Sequence, residues 1–132
     1  MSKIKGSKAE RELFKMLWDN GWSVVRSAGS GAAQVPSPDL IAGNNERFLA
    51  LECKSLKIDK KYFYQDEIDQ LNYFSSRFGA EPWIGVRFDK KGWWFVHTKD
   101  LERSGGNSFL VSLDFAKEKG LTFEELIKKE KN

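Results

Sequence analysis

The chain has 132 residues, of which 40% are hydrophobic and 31% charged, with 22 Lys and Arg against 19 Asp and Glu for a net charge of +3. That is the composition of one globular domain large enough for a real core. No apolar run reaches the roughly 18 residues of a membrane span, and "MSKIKGSKAERE" lacks the apolar centre of a signal peptide, so the expected location is the cytoplasm. Cys53 is the single cysteine, which excludes an internal disulfide or a cysteine-rich zinc site. The charge is compatible with a polyanionic partner without demanding one. Basic residues gather at Lys3, Lys5, Lys8 and Arg11, from Lys54 to Lys61, at Lys90 and Lys91, and in the tail, which reads as a solvated helix end.

In chain order, Ser7-x-x-Glu10 has the pattern of a capping box and predicts a helix opening there, with Leu13, Phe14, Leu17 and Trp18 on one stripe and Gly21 as its stop. Residues 22–28 read as a strand, "GSGAAQVPSP" as a loop, "DLIA" as a short strand and "GNNE" as a hairpin turn. "RFLALECKS" is a longer strand. "LKIDKKYFYQ" reads as a polar connection carrying three aromatics. A helix follows from about Asp66 to Phe78, with Leu71, Phe74 and Phe78 at helical spacing and Gly79 as its stop. "PWIGVRF" is apolar enough for a strand covered on both faces. "DKKG" turns it into "WWFVHT". After a short helical "KDLER" comes a last strand, "NSFLVSL", and Thr122-x-x-Glu125 opens a closing helix. Strands separated by helices predict an α/β domain with a central mixed sheet and a helix on each face.

The chemistry concentrates between residues 38 and 54. Side chains alternate along a strand, so Leu49, Leu51 and Cys53 share one face of "RFLALECKS", and Ala50, Glu52 and Lys54 share the other. The turn at residues 43–46 makes "DLIA" its antiparallel neighbour, which brings Asp39 near Glu52. Two carboxylates about 4 Å apart repel by on the order of 4 kcal/mol near a protein surface. A divalent cation reverses that sign, and Mg²⁺ asks for only one or two protein carboxylates beside its waters. A lysine at such a site can hold an attacking water or a phosphate oxygen, which is the equipment for phosphodiester hydrolysis. The plain alternative is an ion pair of Lys54 with either acid, contributing about 0–1 kcal/mol.

Pro38-Asp39, twelve further residues, then Glu52-Cys53-Lys54 resembles the PD-(D/E)xK nuclease motif. With "GSKAEREL" before it, "RSAGSG" between and an aromatic-rich helix after it, nearly the whole chain resembles the archaeal Holliday junction resolvases of the Hjc type. The resemblance implies a restriction-endonuclease-like fold in a single domain over residues 1–132, with a basic arm at 1–6 and a polar tail at 129–132. It implies a Mg²⁺-dependent homodimer, with Mn²⁺ able to substitute, that nicks four-way DNA junctions symmetrically in recombination and repair. The protein would be cytoplasmic and nucleoid-associated, with no membrane and no small-molecule cofactor.

Carried onto this chain, Asp39 and Glu52 would ligate metal, with the Cys53 main-chain carbonyl and the helical Glu10 as further ligands. Lys54 would position or polarise the water, and Ser30 would lie near the scissile phosphate. Arg11, Arg26, Lys5 and Lys8 would handle DNA. Phe74, Phe78 and Trp94 would lie at the dimer contact, and Gln70 near the site.

The residues themselves leave some readings open. Glu10 could serve the capping box instead. Gly29-Ser30-Gly31 lacks the third glycine and following helix of a dinucleotide loop, and is either a plain loop or a DNA contact. His97 reads as a strand-end residue and Cys53 as core. Trp93 and Trp94 point to opposite faces, one into the core and one outward. The rival functions are a nuclease of this fold acting on other branched or duplex DNA, and a non-catalytic nucleic-acid-binding module.

Overall fold

The structure, a computed structural model, describes residues 2–27 and 35–129, with side chains in the first helix from residue 8 onward. Its elements are α1 (Ser2–Asp19), β1 (Ser23–Arg26), β2 (Leu40–Gly43), β3 (Phe48–Leu56), β4 (Lys60–Tyr64), α2 (Gln65–Phe78), β5 (Glu81–Phe88), β6 (Gly92–His97), a 3₁₀ turn (Thr98–Asp100), β7 (Arg103–Gly105), β8 (Ser108–Ser112), α3 (Leu113–Lys119) and α4 (Phe123–Lys128). The main sheet runs β1-β2-β3-β5-β6, and β4-β8-β7 form a second sheet. All pairings are antiparallel except β3 with β5.

The alternation expected along β3 sorts the core into two layers. Leu49, Leu51 and Cys53 join Ala9, Leu13 and Leu17 of α1 and Leu126 of α4 on one face. Ala50 lies on the other, with Ile68 and Leu71 of α2, Phe63, Ile84, Val86, Phe88, Phe109 and Val111. The middle of β3 and of β5 is therefore covered on both faces, which explains their near-continuous apolar sequences. Gly85 is needed for closeness: Phe95 lies across from it in register, and a Cβ there would sit 2.9 Å from the Phe95 ring.

Several expectations are corrected. Helix α1 begins at Ser2, so Ser7 and Glu10 lie inside it and do not cap it. Residues 2–6, read as an arm, are helical. On its stripe Leu13 and Leu17 are buried, whereas Trp18 is about half exposed. "LKIDKKYFYQ" contains strand β4, and strand β7 and helix α3 were not anticipated. Trp93 is buried, but Trp94 is half-buried against the α2-side core and does not face outward. The other signals hold. Gly79 ends α2 at φ +88°, Asn45 takes φ +79° in the β2–β3 turn, and Thr122 and Glu125 form both bonds of the capping box.

One buried cation ties the chain's far parts together. Arg47, 3% exposed, donates from Nε and Nη2 to the two Glu81 oxygens at 2.9 and 2.8 Å. Its Nη1 donates to the carbonyls of Leu126 (2.6 Å) and Lys129 (2.8 Å), which close the last turn of α4. Its guanidinium lies 5.5 Å from the Trp22 ring centre. Burial opposes ionisation of Glu81, but hydrogen bonds from Arg47 and Trp83 outweigh it and hold this carboxyl below its usual range.

Candidate active site

In the β2–β3 hairpin Leu40 pairs with Leu51 and Ile41 with Ala50. One step further along the same register, Asp39 faces Glu52. Asp39 is pinned from both sides: its Oδ2 accepts from the Cys53 amide at 2.8 Å, and its carbonyl accepts from the Ser27 amide at 2.9 Å. Three strands thus meet at one corner of the sheet.

The corner is electrostatically unsatisfied. Burial, then the neighbouring Asp39 charge, pushes the Glu52 carboxyl up to about 8; Lys54 offsets this in part, and Glu67 and Glu10 add to it. Asp39 is also raised, chiefly by burial and then against the pull of the Cys53 amide; the charge of Glu10 raises it further, while Lys54 and Arg26 oppose. Among the described residues no ion pair within 4.0 Å joins Lys54 to either acid, so the plain salt-bridge alternative is not formed. The acids share a corner that favours a cation, and the one ammonium beside them is left available.

Glu10 approaches from α1 and accepts from Arg26 Nε at 3.1 Å. It stands near the corner, paired with a β1 arginine, and lies inside its helix rather than at its start. On the α2 side a cavity of about 70 Å³ is lined by Ser37, Pro38, Glu52, Glu67, Gln70 and Leu71, with room for a few waters. Gln70 is therefore at the site. Glu67 was missed by the sequence reading. It lies one turn before Gln70 on the same helical stripe, and that spacing is the signal that could have found it.

The remaining expected residues divide. Lys8 and Arg11 are exposed on α1. Ser30 and the side chain of Lys5 lie outside the described residues. Cys53 turns its thiol into the α1-side core, where burial and then the neighbouring acids drive it well above its usual range, so only its main chain can serve the site. Phe74 and Phe78 stack at 5.4 Å between ring centres, on a groove of about 380 Å³ lined also by Val35, Pro36, Tyr73 and Arg77. His97 caps the 3₁₀ turn, accepting from the Lys99 amide, away from the corner.

Residues 1–132 match the sequence model of the archaeal Holliday junction resolvase (Hjc) family. The chain belongs to this family. It is 36% identical over 129 residues to the crossover junction endodeoxyribonuclease Hjc of Archaeoglobus fulgidus, covering 93% of this chain and 95% of that one. It is 34% identical over 117 residues to the protein of that name from Methanocaldococcus jannaschii, covering 84% of each. The solved structure of the A. fulgidus Hjc, described as a Holliday junction resolvase from an archaeal hyperthermophile, superposes with a TM-score of 0.85 at 34% identity, over 92% of this chain and 98% of that one.

A resolvase of this family implies a divalent metal, and the corner can be tested for it. Among the described residues no three or more His, Cys, Asp or Glu side chains gather into a metal cage. Asp39 and Glu52 form a pair beside a cavity with room for water, a donor set that suits a cation keeping most of its hydration shell. Burial first, and then the charge of neighbouring acids, raises both carboxyls, a cost that a bound cation would relieve.

This gives a resolvase-family stability test. The Glu52 carboxyl is raised in the fold, so the folded metal-free protein binds an extra proton. The Glu52 contribution to stability is therefore full below about pH 4.5 and is lost as pH rises through about 8. Glu52→Gln removes this slope. In EDTA the variant's advantage over wild type should grow from near zero at pH 5 to roughly 1–3 kcal/mol at pH 8.5. Parallel stability-versus-pH curves from urea unfolding would show that Glu52 carries no such strain.

Proposed function

We propose that this protein is a divalent-metal-dependent, homodimeric endodeoxyribonuclease that resolves four-way DNA junctions by paired, symmetric nicks, with Mg²⁺ as its metal. The observation that carries the reading is the Asp39–Glu52–Lys54 corner: two raised carboxyls facing each other at the end of the β2–β3 hairpin, with the Lys54 ammonium acting on both. Asp39 and Glu52 would hold the metal, with the Cys53 main chain beside them. When bound, the metal supplies Lewis acidity at the phosphate and lowers the pKa of water. Lys54 holds the attacking water or a non-bridging phosphate oxygen. Glu10 keeps Arg26 directed at the corner, where its guanidinium can meet a flanking phosphate. Lys8 and Arg11, exposed on α1, would add backbone contacts, so affinity should fall steeply with salt. Selection would rest on the branched shape of the DNA rather than on base contacts.

One corner per chain cuts one strand, and a two-fold dimer offers two corners to a two-fold junction. The apolar groove at Phe74 and Phe78 suits that dimer contact. Phe78, 54% exposed, should be its weak point. Phe78→Asp is expected to shift the protein from dimer to monomer in sedimentation, and to convert paired nicks into single ones. A dimer that persists unchanged would move the interface elsewhere. No described helix is long and apolar enough to cross a membrane, and a cytoplasmic, nucleoid-associated location suits a DNA substrate.

The test is incubation with a synthetic immobile junction and a matched linear duplex, each with Mg²⁺ and with EDTA. Paired symmetric nicks in the junction alone, dependent on Mg²⁺, are expected. Equal cutting of the duplex would keep the nuclease and discard junction selectivity. Tight binding with no cutting would leave a binding module.

A further inference from the structure

The second sheet has two unlike faces. Phe63, Phe109 and Val111 point inward and close the α2-side core. The alternate residues of β4 point outward: Tyr62 is 44% exposed and Tyr64 57%. Leu110, Tyr62's partner in register, is half-buried beside it, and Ile58 is exposed in the preceding loop. Two tyrosines two apart on a strand stand about 6.7 Å apart on one face. That is too wide for neighbouring bases stacked at about 3.4 Å, and it suits one splayed base on each ring.

Charge and position name the occupant. Lys57 and Lys60 are exposed at the start of β4, with no carboxylate partner among the described residues. Asp59, the acid between them, is held by Lys91 at 3.2 Å. At its other end β4 runs directly into α2, whose Glu67 accepts from the Tyr64 amide at 2.9 Å and lines the same cavity as Glu52.

Aromatic rings flanked by unpaired lysines and leading to a phosphodiester-cutting site match a single strand of nucleic acid. We propose that the outer face of β4 docks an unpaired DNA strand leaving the branch point, with bases on Tyr62 and Tyr64 and phosphates on Lys57 and Lys60. This rests on the reading of the corner as a branched-DNA nuclease. It extends the substrate class to branches that carry a single-stranded arm.

The experiment measures fluorescence anisotropy of labelled oligothymidine, about a dozen nucleotides long, alongside cleavage of a fully paired junction. The proteins compared are wild type, the double variant Tyr62→Ala with Tyr64→Ala, and the double variant Tyr62→Phe with Tyr64→Phe. Expected are at least a tenfold loss of oligothymidine affinity in the alanine variant and recovery to within about threefold in the phenylalanine variant. Both variants should cleave the paired junction within about twofold of wild type. Oligothymidine binding that ignores the tyrosines overturns the proposal. An equal loss on a linear duplex also overturns it, making the face a duplex contact. If wild type binds oligothymidine through the tyrosines yet cuts no junction, the nuclease reading fails while the binding face stands.

Discussion

Glu52→Gln is expected to abolish junction cleavage, lowering the single-turnover rate by on the order of 10²–10³-fold or more, while junction affinity stays within a fewfold of wild type. The two effects separate because Glu52 is mostly buried and its charge faces Asp39, not the solvent. DNA affinity comes mostly from the lysines and arginines around the corner, and Glu52 is not one of them. The amide keeps the volume of the side chain, so the Ala50 and Ile84 packing on either side is undisturbed. What disappears is one of the two charges that make the corner attractive to a cation. Rates measured beside anisotropy titrations in Mg²⁺ decide the matter. A glutamine variant that cuts within tenfold of wild type would show that the chemistry sits elsewhere. Lys54→Ala, tested in the same way, should also lose most of the rate, since no other described ammonium acts on both carboxyls.

The largest effect on stability is expected at the opposite end of the same strand. Arg47→Ala should cost about 3–5 kcal/mol in urea unfolding. The substitution leaves Glu81 as a half-buried charge without its bidentate partner. It also leaves the Leu126 and Lys129 carbonyls without their donor. Arg47→Lys should recover little, because one ammonium cannot reproduce a planar fork that serves a carboxylate and two carbonyls at once. A loss under about 1 kcal/mol would mean that water replaces these bonds. The candidate active site, five residues further along the chain at Glu52, should keep its activity at temperatures where the variant remains folded.

The corner was legible because hairpin arithmetic is local. A turn at residues 43–46 fixes which residues of β2 and β3 face each other, and the strand period then assigns faces. Asp39 and Glu52 follow from those two rules alone. What the rules could not reach depends on distant partners. Strand β4 reads as a connection because only Phe63 within it is buried, and its pairing partners in β8 come 44 to 52 residues later. Helix α3 has seven residues and starts from a Ser112 cap that looks like ordinary strand sequence. Glu10 has the spacing of a capping box, yet Arg26, sixteen residues on, claims its carboxylate. Arg47 looks like a turn residue until Glu81 and the end of α4 fold over it.

The lone parallel pairing at the middle of the main sheet has a consequence for how the molecule assembles. The β2–β3 and β5–β6 hairpins close over short separations and can form early, each on its own. Joining β3 to β5 closes a loop of about thirty residues through β4 and α2, a longer closure than either hairpin needs. Glu52 and Lys54 lie along that seam, opposite Ile84 and Val86. These candidate site residues therefore reach their final surroundings only when the two halves dock. A chain whose two halves have not docked would hold Asp39 opposite Glu52 but lack the β5 wall beside them, so the candidate site is complete only when the domain is whole.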